Sequence, residues 1–174
     1  MNNNDFTGNS RVAIDILGNE WHYDCMGCSI FRGDITPPGG IIYEGKYTIL
    51  AADPEVAIPG FLIVNIKRHV RSFSELTREE RIEAGDLISH AEKAIKSLGI
   101  GNEVTLVQEE RSRHIHIWVF PCYDWMKEKF GKGVAPIMDI MQYVVDNNNE
   151  DNVNEVLSVV EKVKKYFKEH DITE

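Results

Sequence analysis

The chain is predicted to fold as α+β: an antiparallel sheet of about five strands, a long helix packed on it and a helical C-terminal extension. Three observations predict this. Short apolar runs of strand type recur between residues 41 and 120, separated by turn-forming segments. Residues 78–98 carry one long stripe at helical spacing. Residues 122–174 change character and carry two further helical stripes.

Residues 1–22 read as a polar N-terminal extension with one apolar patch of strand character, Val12-Ala13-Ile14-Asp15-Ile16-Leu17. The pair Cys25-x-x-Cys28 opens the main unit, residues 23–121. Thr36-Pro37-Pro38-Gly39-Gly40 is a loop. Ile41 to Leu50 reads as a hairpin turning near Gly45. Asp53-Pro54 through Pro59-Gly60 is a second loop, and Phe61-Leu62-Ile63-Val64-Asn65-Ile66 an apolar strand that ends in Lys67-Arg68-His69. The helix starts at a capping box, with Thr77 as N-cap and Glu80 at N3. Its stripe is Ala84, Leu87, Ile88, Ala91, Ala94, Ile95 and Leu98, and Gly99 suits the C′ position. Val104–Gln108 and His114–Phe120 are two more strands, joined by Glu109-Glu110-Arg111-Ser112-Arg113. In the extension, residues 122–174, one stripe is Ile137, Ile140, Met141, Val144 and Val145. The other is Val153, Val156, Leu157, Val160, Val163 and Phe167. Such faces must dock on the sheet, on a partner subunit or over a site.

Composition narrows the function. The 174 residues suit one domain with extensions, and 43% apolar residues suffice for a core. A net charge of −9, from 19 basic and 28 acidic residues, argues against a nucleic-acid partner. A small anionic ligand stays compatible, because local cations can act inside an acidic protein. No apolar run approaches a membrane span, and Met1-Asn2-Asn3-Asn4-Asp5 has neither the basic nor the apolar region of a signal peptide. Three cysteines fit a reducing compartment, so a cytoplasmic location is expected.

The chemistry concentrates in Arg113-His114-Ile115-His116-Ile117-Trp118-Val119-Phe120-Pro121. In a strand, residues i and i+2 share a face, which sets His114 and His116 side by side, roughly 7 Å apart along the chain. Ile115, Ile117 and Val119 fill the other face. Cys25 and Cys28 can supply two thiolates to a tetrahedral Zn²⁺, with His69 and one of His114 and His116 completing it. A redox dithiol would need a helix N-terminus in a βαβ context, and two ordinary buried cysteines are the plain alternative. An imidazole can also attack phosphorus and carry a covalent nucleotidyl group, or serve as a zinc ligand or a satisfied buried histidine. One strand with two histidines leaves these open.

Taken together, Cys25-x-x-Cys28, Asp53, the run Pro59 to His69, His114-Ile115-His116 and Pro121 resemble the histidine triad (HIT) superfamily over residues 25–121. The resemblance implies a HIT-like sheet and long helix, commonly paired as a homodimer. His116 matches the family's nucleophile at the α-phosphate. His114 and the histidine matched by His69 join the two cysteines around a structural zinc in zinc-containing members. Asp53 matches an acid that hydrogen-bonds the ribose, although an aspartate before proline is also a common turn residue. Gln108 stands where an asparagine is usual. Trp118 departs from the pattern by occupying the third triad position. Its indole offers only an N–H donor and cannot act as an acid–base imidazole. The link before the strand is short. Ser112 alternates onto the histidine face and could replace the family's serine, and Arg111 could supply a cation for phosphate. Arg113 alternates onto the opposite face and suits a solvated role.

The expectation is therefore a nucleotide hydrolase or nucleotidyltransferase acting on a nucleoside phosphate, of the diadenosine polyphosphate or phosphoramidate class, through a nucleotidyl-His116. A catalytically weakened nucleotide-binding module is the alternative, with Trp118 as its cause. A zinc-stabilised structural protein without ligand is the third.

Overall fold

The computed structural model describes residues 11–110 and 113–173. Its first element is a hairpin, β1 (Arg11–Ile14) and β2 (Glu20–Tyr23), paired antiparallel. Asp15 closes it. The buried carboxylate accepts from the backbone N–H groups of Leu17 and Asn19 and from the Trp21 indole, at 2.9, 2.9 and 2.8 Å. A short helix, α1 (Met26–Arg32), follows and ends at Gly33, whose φ of 80° gives the left-handed cap that glycine adopts without strain. The sequence reading had treated this segment only as a cysteine pair. Seven residues are too few for a visible helical period.

The main sheet has five strands in the order β3-β4-β5-β7-β6, with every pair antiparallel. They are β3 (Tyr43–Glu44), β4 (Thr48–Ala52), β5 (Leu62–Ile66), β6 (Glu103–Val107) and β7 (His116–Cys122). β4 and β5 are buried on both faces, which explains their nearly unbroken apolar runs. β7 begins two residues later than the alternation suggested. Before it, the Ile115 N–H donates to Val70 O at 2.7 Å and His114 Nε2 donates to Ile66 O at 2.6 Å. These bonds draw the chain toward the end of β5 and out of the ladder.

The long helix α2 (Arg78–Ser97) starts at the expected capping box. Thr77 Oγ1 accepts from the Glu80 N–H at 3.2 Å, and Glu80 returns the contact by accepting from the Thr77 N–H at 2.8 Å. Glu80 also holds the Arg68 guanidinium through both carboxylate oxygens, at 2.9 and 2.7 Å. That fork pushes its carboxyl down to about 2 and ties the end of β5, next to His69, to the helix. Glu83 accepts from the backbone N–H groups of Tyr47 and Thr48, at 2.8 Å each, and so pins the β3–β4 turn. A Cβ at Gly45 would collide with that carboxylate, which would have to move to make room.

The extension forms α3 (Asp124–Phe130), α4 (Ile137–Asp146) and α5 (Glu150–Glu169). Both expected stripes are helical, and they dock on this chain's own core. Val156, Val160 and Val163 of α5 join Leu87 and Ala91 of α2, while Ile137, Ile140 and Val144 of α4 join the same cluster. Gly39, with φ of 72°, seats the preceding loop on α5; a Cβ there would stand 2.6 Å from Val160 Cγ1. Among the described residues no helix is long and apolar enough to cross a membrane.

Candidate metal centre and active-site cavity

The four residues Cys25, Cys28, His69 and His114 converge from three separate segments, and their ligand atoms all lie within 4.8 Å of one another. Cys25 Sγ is 3.5 Å from His69 Nδ1 and 3.2 Å from His114 Nδ1; Cys28 Sγ is 3.1 and 3.4 Å from the same atoms. A tetrahedral zinc with ordinary Zn–S and Zn–N bonds places sulfur and nitrogen about 3.6 Å apart. The set thus fits one divalent ion of that kind with little adjustment. Two further features support the fit. His114 donates from Nε2 to Ile66 O, which leaves the Nδ1 lone pair aimed at the sulfurs. Burial also lowers the His114 pKa, which favours the neutral imidazole that a metal requires.

The redox alternative gains one feature and loses two. Cys25 does stand at the N-cap of α1. The sheet, however, is antiparallel, and burial together with the adjacent Cys25 pushes the Cys28 thiol up to about 12, away from a reactive thiolate.

Beside this centre lies a cavity of about 420 Å³, within the range that small molecules occupy. Ala51, Ile63, Asn65, His116 and Trp118 form its floor. The register explains the floor: Asn65 is the partner of His116, and Ile63 of Trp118, so all four project from one face of β5 and β7. One bank is Tyr23, Met26 and Ile30, next to the cysteines. The other is Met138, Met141, Gln142 and Val145 of α4, next to the loop Asp53–Val56. Arg11 and Arg113 are its cations, and Asp24, Asp53 and Glu55 its carboxylates, among the described residues.

His116 Nδ1 lies 3.0 Å from the carbonyl oxygen of His114. A carbonyl only accepts, so Nδ1 carries the proton and Nε2 of the neutral ring holds the lone pair. Trp118 is half-buried, packed edge-to-face on Phe61 at 5.6 Å, with its ring 6.2 Å from that of His116. Asp53 lines the cavity while capping its own loop: one oxygen accepts from the Glu55 and Val56 N–H groups at 2.9 Å each. Desolvation nevertheless raises its carboxyl to about 7.

Arg113 is exposed, as its solvated role predicts, and it also lines the cavity, because β7 starts only at His116 and alternation does not reach back to it. Gln108 is not among the lining residues. It follows β6, and its buried amide nitrogen has no hydrogen-bond partner among the described residues. Arg111 and Ser112 lie outside the described residues. Sequence reasoning missed Arg11, Asn65 and the whole α4 bank. Asn65 had a signal, since it is the one polar side chain in the run Phe61 to Ile66 and is only 6% exposed. Arg11 had none.

No protein-family model and no curated protein matches the chain. Solved structures do. A hypothetical histidine triad nucleotide-binding protein from Sulfolobus tokodaii aligns with a TM-score of 0.58 at 15% identity, over 83% of this chain and 94% of its own. A Zn-bound histidine triad family protein from Mycobacterium smegmatis aligns with a TM-score of 0.55 at 16% identity, over 81% and 96%. A member of the HIT family from Bacillus subtilis aligns with a TM-score of 0.55 at 19% identity, over 80% and 96%. At these identities the likeness is one of fold.

Proposed function

We propose that this chain, which has the histidine triad fold in a divergent form, is a nucleotide hydrolase or nucleotidyltransferase that works through His116. The observation that carries the reading is the His116 ring. It stands on the floor of a ligand-sized cavity, with Nδ1 held on the His114 carbonyl and Nε2 therefore the basic nitrogen.

In this reading, Nε2 attacks the α-phosphorus of a nucleoside phosphate in line with the scissile bond. A P–N bond forms as the bond to the leaving group breaks, and the leaving group takes its electron pair and a proton from solvent. Water or an acceptor phosphate then attacks the nucleotidyl-histidine from the opposite side. The P–N bond breaks, Nε2 recovers its lone pair and the nucleotide is released. The Nδ1–H···O=C bond keeps the ring in the nucleophilic tautomer and stabilises the positive charge that the ring acquires in the intermediate. Arg11 and Arg113 can neutralise phosphate oxygens, and Asp53 can accept from the ribose hydroxyls. Cys25, Cys28, His69 and His114 would hold zinc as a closed four-ligand structural site, which supplies rigidity to the strand that carries His116. The family's usual homodimer and the diadenosine polyphosphate or phosphoramidate class belong to the same proposal.

The test is turnover of adenosine phosphoramidate and diadenosine polyphosphates by wild type beside His116→Ala. Loss of at least ~1,000-fold in kcat/KM is expected for removal of a covalent nucleophile. Equal turnover by both proteins would end this mechanism. Trp118 motivates a second reading, a nucleotide-binding module with weakened catalysis, because an indole cannot relay a proton at the leaving group. Nucleotide-dependent stabilisation without turnover is the result that would select it.

A further inference from the structure

Asn65 breaks the pattern of its strand. β5 is buried along its whole length, and its other residues are Leu62, Ile63, Val64 and Ile66. Asn65 is 6% exposed and makes no side-chain hydrogen bond among the described residues. A buried carboxamide without a partner is costly, and an apolar side chain of the same shape would serve the fold at least as well. The register shows where the amide is aimed. Asn65 pairs with Ile49 of β4 on one side and with His116 of β7 on the other, and it lines the cavity. Directly paired residues stand about 5 Å apart at Cβ, so a group seated on the His116 ring is within reach of the amide.

The rest of the lining narrows its role. The other carboxamide, Gln142, is exposed and donates from Nε2 to Asp146 Oδ1 at 2.9 Å. The two cations, Arg11 and Arg113, are both exposed. The floor itself, Ala51, Ile63, Asn65, His116 and Trp118, holds no lysine, arginine or carboxylate. A neutral donor suits that position. An imidazole gains positive charge when it takes a phosphoryl group, and a cation beside it would oppose the step. Ionised phosphate oxygens accept hydrogen bonds, and an unbonded amide is free to turn its N–H groups toward them.

We propose that Asn65 is a phosphate-binding residue, donating from Nδ2 to a non-bridging oxygen of the phosphate that His116 engages. The fold leaves the amide unsatisfied and the ligand satisfies it. This rests on the nucleotide reading above and deepens it by naming a contact made from β5. A phosphate role and a structural role differ in one respect: if the amide serves the ligand, its removal weakens binding without weakening the fold.

The test is titration calorimetry of the full chain, as wild type, Asn65→Leu and Asn65→Ala, with adenosine, guanosine and uridine 5′-monophosphate. The parent nucleosides are ranked by displacement of the monophosphate, and each protein is melted without ligand. Leucine keeps the branched shape of asparagine without its polar atoms, and alanine covers the case in which leucine fits badly. The affinity for the monophosphate that wild type prefers is expected to fall at least about tenfold in both variants, as loss of a hydrogen bond to a charged group requires. Affinity for the parent nucleoside is expected to hold, and the melting temperature of Asn65→Leu to equal or exceed that of wild type. Unchanged monophosphate affinity in both variants overturns the proposal and leaves the nucleotide reading standing. An equal fall for nucleoside and monophosphate also overturns it and places the amide on the sugar or base. Lower melting temperatures in both variants give Asn65 a structural role instead. Binding of none of the monophosphates by wild type sinks the nucleotide reading, and this proposal with it.

Discussion

At the residue scale the chemistry depends on which nitrogen of each histidine is committed. His114 and His116 are two residues apart, yet they are held in opposite tautomers. His114 gives its Nε2 proton to Ile66 O and turns Nδ1 to the thiols; His116 gives its Nδ1 proton to the His114 carbonyl and keeps Nε2 basic. One becomes a ligand and the other a nucleophile through the backbone groups they meet. Both histidines line the cavity, but their division of labour was not legible from alternation, because it depends on the Ile66 carbonyl of β5 and on the His114 carbonyl just before β7. Gly27 belongs to the same geometry. A Cβ there would lie 2.9 Å from His114 Nδ1, the atom that would bind metal. Gly27→Ala should displace the His114 ring and lower zinc affinity by about 10–100-fold, the scale of losses when a ligand is misoriented. Metal retained against a graded chelator measures this; unchanged retention would remove Gly27 from the centre.

At the element scale, α2 was legible almost completely. Thr77 and Glu80 form the capping box, and Ala84, Leu87, Ala91, Ala94 and Ile95 are buried as their spacing required. His90 was not anticipated. It lies within that face at 3% exposure, against the rings of Tyr166 and Phe167 of α5 at 5.2 and 4.5 Å, and its Nε2 has no hydrogen-bond partner among the described residues. Desolvation, with Lys93 and His170 nearby, lowers its pKa below the ordinary 6.5. The sign follows directly. The unfolded chain takes up the proton first, so the contribution of His90 is complete above pH 6.5 and is lost as the pH falls below it. His90→Leu should therefore raise the melting temperature and flatten its fall between about pH 6.5 and 5, where only the wild-type imidazole binds a proton on unfolding. Parallel melting curves for the two proteins across that range would show that α5 docks independently of this ring. The helices α1 and α3 escaped the sequence reading because seven residues each give too little periodicity, while the longer α4 and α5 showed theirs.

At the scale of the whole molecule, the four-ligand cluster joins segments that are 44 and 89 residues apart in sequence, from the Cys25 knuckle to His69 and to His114. An ion held there would cross-link α1 to the ends of β5 and β7. Removal of metal by a strong chelator should lower the melting temperature by about 5–10 °C, since an ion that binds only the folded state must stabilise it. A melting curve indifferent to chelator, with no metal in the native mass spectrum, would leave the four residues without an ion. The same long-range logic explains the cavity. Hydrophobic period and turn chemistry are local properties, and they determined from sequence alone that there would be a sheet, a long capped helix, two amphipathic C-terminal helices and a strand carrying His116. Local patterns do not say which helix face meets which loop. Only the tertiary structure set Asn65 opposite His116, brought Arg11 and Arg113 to the cavity and laid α4 along its open bank. Each of those placements is a contact between distant segments, chosen by burial of the whole core.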